Sequence, residues 1–257
     1  TPGMVAVMNT AGAFPSRYWS QGTCDHWRHI DAETLHTEHH VQPHACAKCF
    51  LACGRLTTIA SGRHTGLTIE GPEYETIFAF GGLCMVDDLG EIAHLNDLCD
   101  RLGMDTISAG NLCGLAIEAA RRGRLSLDID YNRPEAMAAL LRDIATRQGA
   151  GAVLAQGIKR AATLWGLEDM AVHVKGLEPP GYDPRVFKGM GLAYAVSDRG
   201  ACHMRSTAYK PELTGEIAPG AIAGKARVVM DYEDRLTLFD SLILCHFFRD
   251  LYPWERL

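Results

Sequence analysis

No long run of lysine or arginine occurs in this 257-residue chain, and its formal net charge is −6, so it lacks the footprint of a nucleic-acid binder. It also lacks any apolar stretch near the ~18 residues that a membrane-spanning helix needs. There is no internal repeat and no low-complexity tract. No strand–helix alternation of useful length occurs, which excludes a doubly wound parallel sheet. The nine cysteines, Cys24, Cys46, Cys49, Cys53, Cys84, Cys99, Cys113, Cys202 and Cys245, are odd in number and unevenly spaced. That excludes a secreted disulfide scaffold and leads us to expect a reducing, cytoplasmic setting. No initiator Met precedes "TPGMVAV", so a processed or excised piece of a longer protein is expected, and the missing signal peptide carries no information.

What is present is an ordinary globular composition, 47% apolar and 22% charged, with enough chain for one large domain or two small ones. The clearest periodicity is helical. "DDLGEIAHLNDLCDRLG" opens on Asp87 and Asp88, sets Leu89, Ile92, Leu95, Cys99 and Leu102 on one face, and stops at Gly103. "TISAGNLCGLAIEAARRG" carries Arg121 and Arg122 in its last turn and Gly123 just beyond. "NRPEAMAALLRDIATRQG" has Asn132 as its expected cap, Pro134 in the first turn and Gly149 as the expected stop. "GAVLAQGIKRAATLWG" reads as one helix ending at Gly166. "YDPRVFKGMGLAYAVSDRG" reads as another, starting from Asp183 and Pro184, and residues 221–248 as a third. Strand candidates are short: 55–60, 66–70 and 171–176. The Pro- and Gly-rich "KGLEPPGYDP" is the expected boundary between two helical units, 1–174 and 175–257.

"HACAKCFLAC" places Cys46, Cys49 and Cys53 in a C-x2-C-x3-C row. Three thiolates this close repel one another unless a cation holds them. Structural zinc usually uses paired C-x2-C halves, and no second half is present. A two-cluster C-x2-C-x2-C-x3-C-P run is also absent. A cubane [4Fe–4S] cluster fits better, with three ligands from one loop and a fourth from far away. Spacing alone leaves Cys202 and Cys245 both open as that fourth ligand.

Five segments, "CAKCFLACGR", "EGPEYET", "LCDRLGMDTISAGN", "VKGLEPPGYDPRVFKGMGLAYAVSDRGACHMR" and "DSLILC", resemble the tungsten-dependent aldehyde:ferredoxin oxidoreductase family, in the family's order and across nearly the whole chain. The resemblance implies a mostly α, multihelical fold of two consecutive helical domains. In the first, the cluster motif and one pterin segment are carried; in the second, incomplete at its C-terminus, the other pterin segment and the fourth cluster cysteine. It implies that Cys46, Cys49, Cys53 and Cys245 bind a [4Fe–4S] cluster, and that tungsten, or sometimes molybdenum, is held by two pterins. The family's pterin segments read D-x-x-G-L-(C/D). They match "DRLGMD" (100–105), with Met104 for Leu, and "DSLILC" (240–245), with Ile243 for Gly. Asp100, Asp105 and Asp240 thereby become expected acceptors for the pterin N–H edge, since a carboxylate suits such an edge. Leu244 and Arg205 become expected cofactor contacts.

The resemblance also implies that one glutamate of "EGPEYET", Glu73 or Glu75, lies near the metal, and that His203 is an active-site histidine. Such a pair suits proton transfer and carbonyl polarisation. Implied partners are a small-molecule aldehyde and ferredoxin or a redox partner subunit. The family sometimes bridges subunits with iron at an E-x-x-H site, which keeps a homo-oligomer open. Here Glu91 and His94 have that spacing, although an ordinary i,i+3 surface pair is the expected state. The histidines of "HTEHHVQPH" (36–44) are expected in a solvated loop. The family's N-terminal pterin-cradling domain is missing from these residues, so this piece alone is not expected to complete an active site. Two other readings remain: a tungsten-dependent aryl-CoA reductase-type subunit, and a non-catalytic Fe–S electron-transfer module.

Overall fold

The structure, a computed structural model, describes residues 3–257 and is mostly α-helical. Helices α1 (Met4–Thr10) and α2 (Ala32–Glu38) precede a three-stranded antiparallel sheet of β1 (His40–His44), β2 (Gly54–Thr58) and β3 (Thr68–Glu70), ordered in space as in the chain. Then follow α3 (Tyr74–Thr76), which continues as a π-helix over Ile77–Leu83, and α4 (Leu89–Leu102), α5 (Thr106–Arg121) and α6 (Pro134–Thr146). The remaining helices are α7 (Gly149–Leu154), α8 (Ile158–Trp165), α9 (Lys188–Val196), α10 (Tyr209–Leu213) and α11 (Lys225–Ser241), with a 3-10 turn at His246–Leu251.

Helices α4 and α5 are set by their caps and their apolar faces. The Asp88 carboxylate accepts from the Glu91 amide at 2.9 Å, and Asp105 accepts from Ser108 at 2.8 Å. Each such cap stabilises its helix by roughly 1 kcal/mol. On α5 the buried residues run nearly all round, from Ala109 to Ala119, so it is the central helix, packed on the π-helix, α3, α4, α6 and α8. Phe14, Phe78, Phe80, Phe187 and Phe239 are fully buried, and each contributes about 1.5–3 kcal/mol of hydrophobic stabilisation. Most of these residues belong to one continuous core from Val5 to Val229, which runs past the Pro- and Gly-rich stretch at 175–184.

Several boundaries differ from the sequence expectation. Residues 149–166 form two helices, because Gly157 at φ 89° turns the chain between them. The helix α6 stops on Arg147 in the left-handed conformation, two residues before the expected Gly149. Asn132 does not cap α6; it lies one residue outside, at φ 53°, and accepts from the Asp87 amide at 3.4 Å. Asp183 starts no helix, because its carboxylate is taken by the Arg185 amide and guanidinium, and α9 begins at Lys188. Only a Val174–Leu177 bridge survives of the strand at 171–176. Conversely, part of the histidine-rich segment expected as loop is β1, paired with β2 from His40–Thr58 to His44–Gly54.

Candidate active site

That β1–β2 pairing explains the position of the cysteine row. His44 faces Gly54 at the end of the ladder, so Cys46, Cys49 and Cys53 occupy the loop at the tip of a hairpin. Lys48 and Ala52 turn the loop with φ of 63° and 43°. The Arg55 guanidinium staples it by donating to the carbonyls of Ala52, Cys53 and Gly54 at 3.1, 3.1 and 2.7 Å. Phe50 in the loop meets Phe248 edge-on at 5.5 Å, which brings the loop against the 3-10 turn that starts after Cys245. Burial pushes the Cys53 thiol up, and the nearby Cys245, Glu73 and Cys46 add to the shift. Cys202 is elsewhere: it is buried, 2.6 Å from the Arg199 guanidinium, beside His203. Among the described residues, no three His, Cys, Asp or Glu side chains are grouped to hold a single metal ion. A cubane spreads its four thiolates over four irons, so four spaced thiols are the donor set it requires.

The two D-x-x-x-x-(D/C) segments are helix ends with one backbone design. At the end of α4, Gly103 at φ 69° donates to Asp100 O at 3.2 Å, and Met104 donates to Cys99 O at 2.9 Å. At the end of α11, Ile243 at φ 57° donates to Asp240 O at 3.1 Å, and Leu244 donates to Phe239 O at 2.8 Å. These are the paired bonds of a Schellman cap, which favours glycine at its left-handed position. The Asp100 side chain accepts from Asn96 at 2.8 Å; burial raises its pKa, with Asp97 and Glu70 adding to the effect. Asp240 accepts from Arg205 at 3.1 Å and lies 2.8 Å from His246 Nε2, while Arg205 also reaches Asp198 at 3.3 Å.

The structure separates the two glutamates that sequence left open. Glu73 is exposed and acts electrostatically on Cys53. Glu75 points inward: its Oε2 accepts from the Gly181 amide at 2.9 Å, and its buried Oε1 has no hydrogen-bond partner and lies 3.7 Å from His203 Nε2. Gly181 allows this approach, since a Cβ there would meet Phe78 at 2.7 Å and the Tyr74 hydroxyl at 2.9 Å. Burial pushes the Glu75 carboxyl up to about 8, with Asp105 adding and the Gly181 N–H opposing. Burial, with the Arg199 charge, brings the His203 imidazole down to about 4. At neutral pH the pair therefore holds its proton on the carboxylic acid, beside a neutral imidazole.

Three adjoining cavities share these residues as walls. A cavity of about 600 Å³ is lined by Glu75, His203, Tyr74, Tyr182, Tyr209, Phe247 and Arg249, among others. One of about 320 Å³ holds Glu70, Glu73, Glu75, Asn96, Asp100 and Asp105, and one of about 390 Å³ holds Asp105, Ser108, Glu178, Cys202 and His203. Glu75 thus divides the first from the second, Asp105 the second from the third, and His203 the third from the first. Sequence reasoning missed Tyr182, Tyr209, His246 and Arg249; only "GYDP", inside the fourth matched segment, hinted at the first. Glu91 instead binds Arg63 at 2.5 and 2.6 Å and lies 3.1 Å from His64, while His94 stacks on His64 at 4.2 Å. His44 lies 3.1 Å from Glu70, and His39 accepts from the Ala60 amide.

Over residues 1–257 the chain matches the family model described as aldehyde ferredoxin oxidoreductase, domains 2 & 3. It is 32% identical over 255 residues to a tungsten-containing aldehyde ferredoxin oxidoreductase of Thermococcus kodakarensis, across 95% of this chain and 42% of that protein. The corresponding Pyrococcus furiosus protein is 31% identical, with the same coverage. The WOR-like subunit of an aliphatic sulfonate oxidoreductase from Pyrococcus furiosus is 28% identical over 77% of this chain and 31% of its own length. Among solved structures, the active-site complex of a benzoyl-coenzyme A reductase bound to 1,5-dienoyl-CoA superposes with a TM-score of 0.53 at 23% identity. That match covers 65% of this chain and 26% of that one, and it shows likeness of fold alone. The chain spans about 42% of the length of the curated aldehyde oxidoreductases it matches.

Proposed function

The chain belongs to the tungsten-containing aldehyde ferredoxin oxidoreductase family, and from that premise we propose that it is the helical part of an enzyme oxidising aldehydes to carboxylates. In this reading Cys46, Cys49, Cys53 and Cys245 would hold a [4Fe–4S] cluster, and residues lining the 320 and 390 Å³ cavities would hold a bis-pterin tungsten or molybdenum centre. When bound, the metal centre would supply a two-electron acceptor, and the cluster a one-electron relay toward ferredoxin or a redox partner subunit. The residues fit those groups. The 320 Å³ cavity is lined with carboxylates and calls for N–H donors, which a pterin edge provides to Asp100 and Asp105. Asp240 offers a third acceptor at the other helix end, Arg205 suits a pterin phosphate, and Leu244 borders the turn.

The observation that carries the reading is the Glu75–His203 pair facing a largely apolar cavity that includes Tyr74, Tyr182, Tyr209 and Phe247. Converting an aldehyde and water to a carboxylate releases two electrons and three protons. Glu75, protonated at neutral pH, donates a hydrogen bond to the carbonyl oxygen and polarises it. Neutral His203 accepts a proton from the water that adds to the carbonyl carbon. The apolar and aromatic walls give the hydrocarbon part of the substrate a surface to bury against. We place the enzyme in a reducing, cytoplasmic setting because its nine cysteines are free. No helix among the described residues is long and apolar enough to cross a membrane.

The test is made on the full-length protein. Tungsten or molybdenum with pterin, about four irons per chain, and aldehyde-dependent reduction of ferredoxin are the expected results. Iron alone, without pterin or turnover, leaves an electron-transfer module and overturns the reading. Turnover of an aryl-CoA with no aldehyde oxidation overturns it in favour of a reductase.

A further inference from the structure

One charged donor facing the 600 Å³ cavity has no role in the chemistry above. Arg249 comes from the 3-10 turn after Cys245 and lines that cavity together with Glu75 and His203. Its Nη1 donates to His246 O at 3.0 Å, but its buried Nε has no partner. The surrounding charge does not neutralise it. Asp250 is bound to Lys210 through both oxygens at 2.6 Å and also lies in the fields of Arg249 and Arg235, so it serves three cations. A buried cationic N–H without an acceptor is costly, and a carboxylate is the group whose geometry fits a guanidinium. Between cation and acid the wall is aromatic. Tyr182 and Tyr209 stack at 4.0 Å with planes 11° apart, and Tyr209 is within electrostatic reach of both Arg249 and Glu75. Phe247 adds a third ring.

We infer that this cavity takes an aromatic aldehyde carrying a second, anionic group: the aldehyde lies at Glu75 and His203, the ring on the tyrosine wall, and a carboxylate at Arg249. The inference rests on the aldehyde-oxidising reading and narrows its substrate class. The reaction stays the same: one carbonyl carbon is oxidised with water supplying oxygen, and the second carboxylate is unchanged.

The probes are benzaldehyde and 4-formylbenzoate with the full-length, metal-loaded enzyme, and, separately from turnover, calorimetric binding of benzoate and terephthalate. A charge-assisted contact predicts a kcat/KM for 4-formylbenzoate higher by about 10-fold or more, expressed mainly in KM and shrinking as salt is added. Terephthalate binds more tightly than benzoate by a comparable factor. Arg249→Leu abolishes both preferences, and Arg249→Lys, which keeps the charge and is the milder change for folding, restores part of them. Equal kcat/KM for the two aldehydes, or a preference that survives in Arg249→Leu, overturns the inference while leaving aldehyde oxidation in place. Arg249-dependent terephthalate binding without oxidation of either aldehyde keeps the anion site and sinks the aldehyde reading.

Discussion

The ends of α4 and α11 make the same backbone turn with different residues and different consequences. Both helices close with the paired bonds of a Schellman cap, and both present an aspartate one turn back, Asp100 and Asp240. At α4 the left-handed position is Gly103. The next residue but one, Asp105, caps the 16-residue helix α5, so this end is tied into the core. At α11 the left-handed position is Ile243, a β-branched residue that is 93% exposed, and the chain runs on to an exposed thiol, Cys245. A turn that costs glycine nothing sterically costs another L-residue roughly 1–2 kcal/mol. The α4 end is thus held by the fold. The α11 end is strained, and its position depends more on what Cys245 and Asp240 bind.

The largest expected effect separates the two terminal residues. Cys245→Ala in the full-length protein loses the cluster or leaves a three-iron form, whereas Asp105→Ala keeps its iron and loses about 1 kcal/mol of stability with the α5 cap. Iron content and thermal unfolding distinguish the two. Full iron retention in Cys245→Ala, with loss in Cys202→Ala, breaks the assignment.

Next comes the cavity that both ends influence, since Asp105 acts on Glu75 and His203, and His246, which contacts Asp240, acts on His203. His203→Ala is expected to lower turnover per metal by ~10²–10⁴-fold without loss of cofactor. The sequence suggests an imidazole titrating near neutrality, but the His203 imidazole lies near about 4 and the Glu75 carboxyl near about 8. Activity should therefore fall as pH rises past about 8, and Glu75→Gln should remove that limb. Stability has its own sign. Native Glu75 binds more protons than the unfolded chain between the ordinary 4.5 and about 8, so stability falls as pH rises through that window. His203 acts oppositely between about 4 and 6.5, so the net fall lies between about 6.5 and 8 and should vanish in Glu75→Gln.

Asp100→Ala and Asp240→Ala compare the two ends as pterin acceptors. Each removes a charge-assisted bond of roughly 1.5–3 kcal/mol, and pterin content measures it. Asp240→Ala should also release Arg205 and His246. Normal pterin in both variants reduces the aspartates to parts of helix ends. The smallest effect is on the turn itself. Ile243→Gly relieves the left-handed strain at an exposed site and should stabilise by up to about 1 kcal/mol after glycine's entropy cost. Gly103→Ile should destabilise by roughly 1–2 kcal/mol, because it puts a β-branched residue at φ 69° where a Cβ gains no contact within 4 Å.

Much of the helical frame was legible, because the start and stop of a helix are local. Asp88 to Gly103 reads correctly since a capping carboxylate, an apolar stripe and a left-handed glycine all lie within one segment. The helix over 151–166 was misread because Gly157 can continue a pattern or turn it, and only packing decides. β1 was hidden because a strand of mostly exposed residues, His40–His44, has no apolar alternation to reveal it.

By itself, then, the sequence determined the residue types that the chemistry needs: the cysteine row, the aspartates of the two helix ends, His203 and the glutamates of "EGPEYET". These are matters of composition and short spacing. The tertiary structure alone decided which glutamate lies against His203, that Cys245 rather than Cys202 lies near the cysteine row, and that Arg249 reaches the pocket of Glu75. The physical reason is that burial and long-range contact set a group's charge state and partners. Glu73 and Glu75 differ by two positions in the chain, yet one is exposed beside Cys53 and the other is held by Gly181, 106 residues away.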